Sequence, residues 1–396
     1  MKVYIVTKEG FPNGMAATNR IKCYARAIHE GGLECEVIIC GSSEVSGKAR
    51  NTEAAGVYEG VPFRYIGGSA VDYRPKPIRL FSQFYKLIKT EFFLKSHLNK
   101  GDVVLLYLGQ RVKLVLRFIR IIKKNGAYSV LDLCEYPYGT RNNRNANHLR
   151  KLVFEKELPG VNGVISISDS LFELAKSKTP SSCSHVKIPI MVEYEHYYVE
   201  KSIPVSSFPY IFHAGTLSEQ KDGVLGMIEA FGIANKILEK PVKYYLTGSL
   251  DSSPEASLIR DMIEKYELGG YVVFLGYLFR DQIKEYLKRA SLVISNRPKS
   301  LQDYYGFSTK VGEYLASGTP FITTRWGEVV NWVVDSESAY IVEPENVNDL
   351  ADAIVRVFRN PVEAQRIGIQ GQEICKQCFD FRNWSSTLVG FIKSLH

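Results

Sequence analysis

Residues 210–238 read YIFHAGTLSEQKDGVLGMIEAFGIANKIL, and the order of chemistry along them decides what kind of sheet this chain builds. Tyr210 to Ala214 is a short run of strand formers, Gly215 to Gly223 is a glycine-bearing polar loop, and 223–238 repeats apolar residues at helical spacing. A strand that passes straight into a helix is the unit of a parallel sheet, whose strands are covered on both faces and read as continuous apolar runs. The unit recurs downstream, with strands expected at 243–247, 272–275, 292–295, 320–323 and 339–342 and helices at 255–266, 280–290, 308–316 and 347–359. It also recurs upstream, with strands expected at 2–7, 35–40, 103–107, 128–133, 163–167 and 185–189 and helices near 16–31, 79–97, 111–125, 145–157 and 169–178.

The α/β pattern therefore appears twice. Pro204 and the stretch Ser206 to Pro209 interrupt it, which places a boundary within 195–208. A length of 396 residues exceeds what one core usually holds. The expected domains are 1–200 and 201–380, with a closing helix in 381–396 that crosses back onto the first. Two Rossmann-like domains facing across a cleft would bind ligands at the carboxyl ends of their strands.

Composition narrows the class. No apolar run reaches the ~20 residues of a spanning helix, and because Met1-Lys2 leads straight into Val3-Tyr4-Ile5-Val6 a signal sequence is not expected. The seven cysteines are scattered, as reduced thiols would be, and a cytoplasmic location is expected. The formal charge of +8 is uneven: residues 1–200 hold 29 Lys and Arg against 19 Asp and Glu, and residues 79–124 alone hold 11 against 2. Basic helices that carry Phe81, Phe84, Tyr85, Phe92 and Phe118 read as a peripheral binder of an anionic membrane at the inner face of the plasma membrane. Core helices with a solvated basic face are the other reading. Nucleic acid is disfavoured, because these cations lie on apolar helices without a reader motif.

Neither G-x-G-x-x-G nor G-x4-G-K-[ST] occurs, which removes the main support for dehydrogenase and P-loop readings. Two other segments carry chemistry. In Gly215-Thr216-Leu217-Ser218-Glu219-Gln220-Lys221-Asp222-Gly223 a glycine lets backbone approach a ligand, Lys221 supplies a mobile cation, and the following helix start offers N–H groups to a phosphate. In Tyr304 to Pro320, the Gly306-Phe307-Ser308 turn opens a helix that Ser308 can cap. Lys310 lies in its first turn, and Glu313 is placed to accept both hydroxyls of a ribose. Each alone could be an ordinary loop or a capped helix.

Together, and in this order, these segments resemble glycosyltransferase family 4, which has the GT-B fold and carries a G-x-L-S-x-x-K-G type loop, an E-x7-E type motif and a small-x-G-x-P strand start. The matching stretches are Gly215 to Gly223, Tyr305 to Glu313 and Ser317-Gly318-Thr319-Pro320. Phe274 to Leu278, with Tyr277, looks like the loop that contacts the donor base, and Asn331 to Pro344 resembles the stretch that closes the donor domain. In the first half, Phe11 to Ala17, with Gly14, looks like the family's loop over the donor phosphates, and Ile165 to Ser168 resembles its V-x-x-S strand end. Two departures stand out. Thr216 replaces a common Arg, a contact that Arg297 could supply, and Tyr305 replaces the first Glu of E-x7-E, a role that Asp303 could share.

The resemblance implies a retaining transferase that moves a sugar from a nucleotide-diphosphate donor, UDP- or GDP-sugar favoured, to a saccharide or lipid-linked saccharide in cell-surface polysaccharide synthesis. It implies no metal or other cofactor, and the sequence contains no Asp-x-Asp. Lys221, the Gly14 loop and the N–H groups near Ser308 would hold the phosphates. After the strand 128–133, Glu135 is the first choice of acceptor base and Asp132 the second. A GT-B sugar-nucleotide epimerase and a non-catalytic sugar-nucleotide-binding subunit are the competing readings.

Overall fold

Runs such as Val103-Val104-Leu105-Leu106 and Leu292-Val293-Ile294 become strands with almost no exposed side chain, because helices cover both faces of their sheets. The computed structural model describes residues 1–45, 49–72, 75–139, 143–200 and 209–396. The chain divides into two compact units, Met1–Val192 with Phe381–His396, and Glu193–Asp380. The expected boundary segment reaches into 201–208, which lies outside the described residues.

The first unit contains β1 (Lys2–Thr7), β2 (Glu34–Ile39), β3 (Glu44–Val45), β4 (Ala55–Tyr58), β5 (Val61–Tyr65), β6 (Val71–Asp72), β7 (Val103–Tyr107), β8 (Tyr128–Leu133), β9 (Gly163–Ser166) and β10 (Ser184–Lys187). Eight of them form one sheet in the order β10-β9-β8-β7-β1-β2-β5-β4, parallel except for the β4–β5 hairpin, while β3 and β6 pair separately. The hairpin was not among the expected elements. Its turn places Glu59 and Gly60 at φ 48° and 81°, the left-handed geometry of a tight hairpin. The helices are α1 (Ala16–Glu30), α2 (Lys76–His97), α3 (Val112–Lys124), α4 (Arg144–Leu152) and α5 (Asp169–Lys178), with α4 continuing as a π-helical turn through Glu157.

The second unit contains α6 (Tyr194–Tyr197), β11 (Tyr210–His213), α7 (Glu219–Asp222), α8 (Val224–Ile237), β12 (Lys243–Leu246), α9 (Ala256–Lys265), β13 (Val272–Phe274), α10 (Arg280–Arg289) and β14 (Leu292–Ser295). It continues with α11 (Leu301–Tyr305), α12 (Lys310–Ala316), β15 (Phe321–Thr324), β16 (Tyr340–Val342), α13 (Val347–Arg359) and α14 (Pro361–Cys378). Its sheet is parallel throughout, in the order β13-β12-β11-β14-β15-β16. The closing helix α15 (Ser385–Lys393) belongs to the first unit: Leu388, Phe391 and Ile392 enter the core built on β1, β2 and α1, and Ser385 Oγ donates to the Ala27 carbonyl at 2.6 Å.

One buried ion pair ties the first unit together. Arg20 of α1 donates from Nη2 to Asp132 Oδ1 of β8 at 3.1 Å, and both side chains are closed to solvent. Its remaining N–H groups reach the carbonyls of Ile188 at 3.0 Å and Pro189 at 2.6 Å, just past β10. The Tyr24 hydroxyl donates to the same carboxylate oxygen, and the Cys134 thiol donates to Oδ2 at 2.6 Å. Burial, the largest single influence, opposes the charge on Arg20, yet Asp132 together with Tyr24, Cys134 and Tyr107 outweighs it and raises the guanidinium above its ordinary value. Removing one member of such a pair strands the other. Arg20→Met should therefore lower the unfolding free energy by about 3–5 kcal/mol, read from urea denaturation. A loss below about 1 kcal/mol, the range of an exposed pair, would show that the pair does not hold these strands.

Candidate functional site

In the second sheet the chain builds from β11 outward to β13, then returns to add β14 on the other side of β11. The carboxyl ends of β11 and β14 thus form a switch point, where successive connections part and a ligand fits. The loops that follow these two strands meet there on a single carboxylate, Asp222. Its Oδ1 accepts from Lys310 Nζ of α12 and lies 3.4 Å from Arg297 Nη1, while its Oδ2 accepts from the Thr216 amide at 3.1 Å and the Thr216 hydroxyl at 3.0 Å. His213 Nε2 stands 3.8 Å from Oδ2, its other nitrogen 2.9 Å from the Ile294 carbonyl.

Burial would raise the Asp222 carboxyl, but Lys310 and His213 beside it hold it well below the usual carboxylate range. Burial pushes the Lys310 ammonium below the ordinary lysine value; Asp222 opposes that shift and Arg297 adds to it. Arg297 is committed elsewhere too. Its Nε donates to Asp303 Oδ1 at 2.6 Å, and Asp303 is fixed by the Ser300 hydroxyl at 2.6 Å. Two cations therefore meet two carboxylates, and the cluster is close to neutral by itself. The surplus positive charge sits next to it in sequence: Lys221 is exposed and makes no ion pair with any described residue.

Gly215 makes the cluster possible. A Cβ there would stand 2.4 Å from His213 Nε2, 2.5 Å from Lys310 Nζ and 2.8 Å from Asp222 Oδ2. The loop is pinned by Thr247 Oγ1, 2.8 Å from the Gly215 amide, and by the buried Tyr314 hydroxyl, 2.7 Å from the Ala214 amide. One turn beyond Lys310, Glu313 hydrogen-bonds the buried Tyr197 hydroxyl, which also accepts from Arg280 Nε at 3.1 Å. Arg280 is anchored in turn by Glu193 at 2.5 Å.

The sequence model of the family described as Glycosyl transferases group 1 matches residues 208–360, the segment that carries the whole of this cluster. Residues 208–360 belong to that family. Over 151 residues the chain is 25% identical to the alpha-1,3/1,6-mannosyltransferase ALG2 of Dictyostelium discoideum, covering 38% of this chain and 34% of that one. It thus spans about a third of the length of that curated relative. Among solved structures, the sucrose-phosphate synthase of Thermosynechococcus elongatus superposes with a TM-score of 0.74 at 16% identity, over 100% of this chain and 99% of that one. The Anabaena protein HepE in complex with UDP and glucose gives 0.72 at 14% identity, over 100% of both chains. The two parallel-sheet units are a GT-B fold.

Within the group 1 domain, Gly215, Thr216, Arg297 and Lys310 come together, with Glu313 one turn away. The other expected residues stand apart from the cluster. Tyr277 is exposed on the loop after β13, edge-on to Phe279. Tyr305 packs edge-on against Tyr304, Gly306 follows the end of α11, and Phe307 stacks near Trp332 and Phe379 in an aromatic group. Ser308 does not cap: α12 starts at Lys310 with Thr309 at the cap position and no side-chain cap bond, and it is the Ser308 carbonyl that accepts from the Val311 amide. Asp303 was a candidate for the donor sugar, but its carboxylate is taken by Arg297 and Ser300 and serves to aim Arg297.

In the first unit Gly14 owes its identity to packing, since a Cβ there would lie 1.8 Å from Thr18 Oγ1, which donates to the Gly10 carbonyl. Asp132 is enclosed by its ion pair and is a structural group, whereas Glu135 is exposed beyond β8 and accepts from Gln110 at 3.2 Å. Near α4, Arg150 clamps the carbonyls of Pro137 and Tyr138. Asp222, His213, Tyr314 and Tyr197 went unnoticed in the sequence. The acidic residue next to Lys221 was the one available signal.

The cluster makes a prediction about acid. A carboxyl held low when folded stabilises the protein above its unfolded value of about 4 and loses that contribution as the pH falls further. Wild type should lose melting temperature below about pH 4, and Asp222→Asn, destabilised at neutral pH, should lose less over the same window. Parallel acid limbs in differential scanning calorimetry would show that Asp222 is not held low.

Proposed function

We propose that this protein is a retaining glycosyltransferase that takes a sugar from a nucleotide-diphosphate donor, UDP- or GDP-sugar favoured, and passes it to a saccharide or lipid-linked saccharide in polysaccharide synthesis. The observation that carries the reading is the meeting of Lys310 and Arg297 on Asp222 at the switch point of the second sheet, with the exposed Lys221 next to Asp222 in the chain. A departing diphosphate needs positive charge held in place before the reaction, in a position that costs no reorganisation as the bond breaks. Asp222 and Asp303 hold Lys310 and Arg297 in fixed positions, and Lys221 makes no ion pair with any described residue. In this reading Glu313, hydrogen-bonded to Tyr197, accepts from the ribose hydroxyls. The presence of UDP with HepE and the mannosyltransferase activity in the name of the curated relative support the donor class.

On the acceptor side, Glu135 is the group we assign as base, since it is exposed while Asp132 is enclosed. The reaction as proposed calls on no metal or other cofactor.

A panel of UDP-, GDP-, ADP- and dTDP-sugars should contain at least one that raises the melting temperature, because a ligand of the folded state stabilises it. Lys221→Ala removes an exposed side chain, so its unliganded melting temperature should match wild type. It should bind that donor about tenfold more weakly, the worth of one charged hydrogen bond, and turn it over about 100-fold more slowly. A panel with no shift, or a variant equal to wild type in nucleotide release, would reject the donor site. Conversion of donor alone into an isomeric sugar nucleotide would replace transfer with epimerisation.

A further inference from the structure

Helix α2 buries Phe93 and Leu94 near its carboxyl end, but before them it is inside out. Toward the body of the first unit it turns Ser82, Lys86 and Thr90, all buried, with Lys86 Nζ donating to Ser42 Oγ at 2.5 Å and lying 3.5 Å from Asp72 Oδ2. Away from it the helix presents Phe81 at 80% exposure and Phe92 at 71%, with Ile78, Phe84, Tyr85 and Ile88 between 44% and 57%. The positions 78, 81, 85, 88 and 92 keep to one stripe of the helix, and Phe84 broadens it. Single exposed apolar residues need no explanation, but a continuous stripe marks a surface that something covers.

The charge around the stripe says what that is. Lys89 and Lys95 are exposed on α2, and α3, joined to α2 by the pair between Arg117 and Glu91 at 2.6 Å, carries Lys113, Arg120 and Lys124 exposed along one line. Helix α3 has no acidic residue, and the one on α2, Glu91, is already paired. A second copy of the chain docked stripe to stripe would bring these like charges together with no carboxylate to answer them. An aromatic stripe edged by a row of cations matches the boundary between anionic headgroups and acyl chains, where rings enter and ammonium groups stay at the phosphates.

We propose that α2 and α3 form a docking surface for an anionic lipid bilayer, with the α2 aromatics inserted at the headgroup level and the α3 cations resting on lipid phosphates. The surface is independent of the donor chemistry of the second unit. It holds the protein at a membrane peripherally, because no described helix is long and apolar enough to cross one.

The test is co-sedimentation of the full chain with vesicles of phosphatidylcholine alone and of phosphatidylcholine with phosphatidylglycerol, with sedimentation velocity of the protein by itself. Wild type should pellet with the anionic vesicles and stay in solution with the neutral ones. Its binding should fall as salt rises from about 0.1 M to about 1 M, which shortens the screening length from about 10 Å to about 3 Å. Lys113→Gln with Arg120→Gln and Lys124→Gln should weaken binding about 100-fold, at about fivefold for each cation. Phe81→Ser with Phe92→Ser should weaken it by about as much or more. Both variants change exposed residues, so their melting temperature and its response to nucleotide sugar should match wild type. Failure to pellet with anionic vesicles, or full binding by either variant, would overturn the proposal. So would a dimer that the Phe variant alone dissolves, since a second copy would then be what covers the stripe.

Discussion

Asp222 is a carboxylate that the second unit has almost entirely removed from water, and such a charge persists only if cations and donors replace the solvent it lost. Its partners come from four places in the chain: His213 at the end of β11, Thr216 in the next loop, Arg297 after β14, and Lys310 at the start of α12. Satisfying one anion therefore fixes the mutual position of a strand end, two loops and a helix. Gly215 and Tyr314 exist in the service of that arrangement, one by leaving room and the other by tying Ala214 to α12.

The consequence for ligand chemistry is a division of labour among the cations. Lys310 and Arg297 are held by carboxylates and contribute a fixed field, while Lys221 is exposed and makes no ion pair with a described residue. A site built from committed charges alone would offer an incoming anion little net attraction, and a site of free lysines alone would have to order them on binding at an entropic cost. The combination gives an anion both preorganisation and a net pull.

Much of the fold was legible because buried parallel strands are nearly uniform runs of branched and aliphatic residues, so Val103 to Tyr107 and Leu292 to Ser295 announce themselves. The β4–β5 hairpin was not legible, since its strands alternate half-exposed residues and Pro62 interrupts one of them. At the candidate site, sequence reasoning found the residues whose types carry a function in isolation, such as Gly215, Lys221, Lys310 and Glu313. It missed Asp222, whose role is created by Arg297 and Lys310, far along the chain. It likewise offered Asp132 as a base, because Arg20 lies on a different element and its guanidinium closes over the carboxylate only in the folded unit. Local composition does not reveal burial by distant neighbours: of the aromatics read as a membrane-facing set, Phe81, Phe84, Tyr85 and Phe92 of α2 are exposed, whereas Phe118 of α3 is buried in the core.

The return of α15 to the first unit has a bearing on how the molecule comes into being. Phe381, Leu388, Phe391 and Ile392 fill a core whose other members are laid down from Val3 onward. The second unit, Glu193–Asp380, has all its own residues before that helix is made. During vector-wise synthesis, then, the portion translated first is the portion finished last. Its nascent form must keep an apolar seam along α1 and β10 uncovered while nearly two hundred further residues emerge and fold.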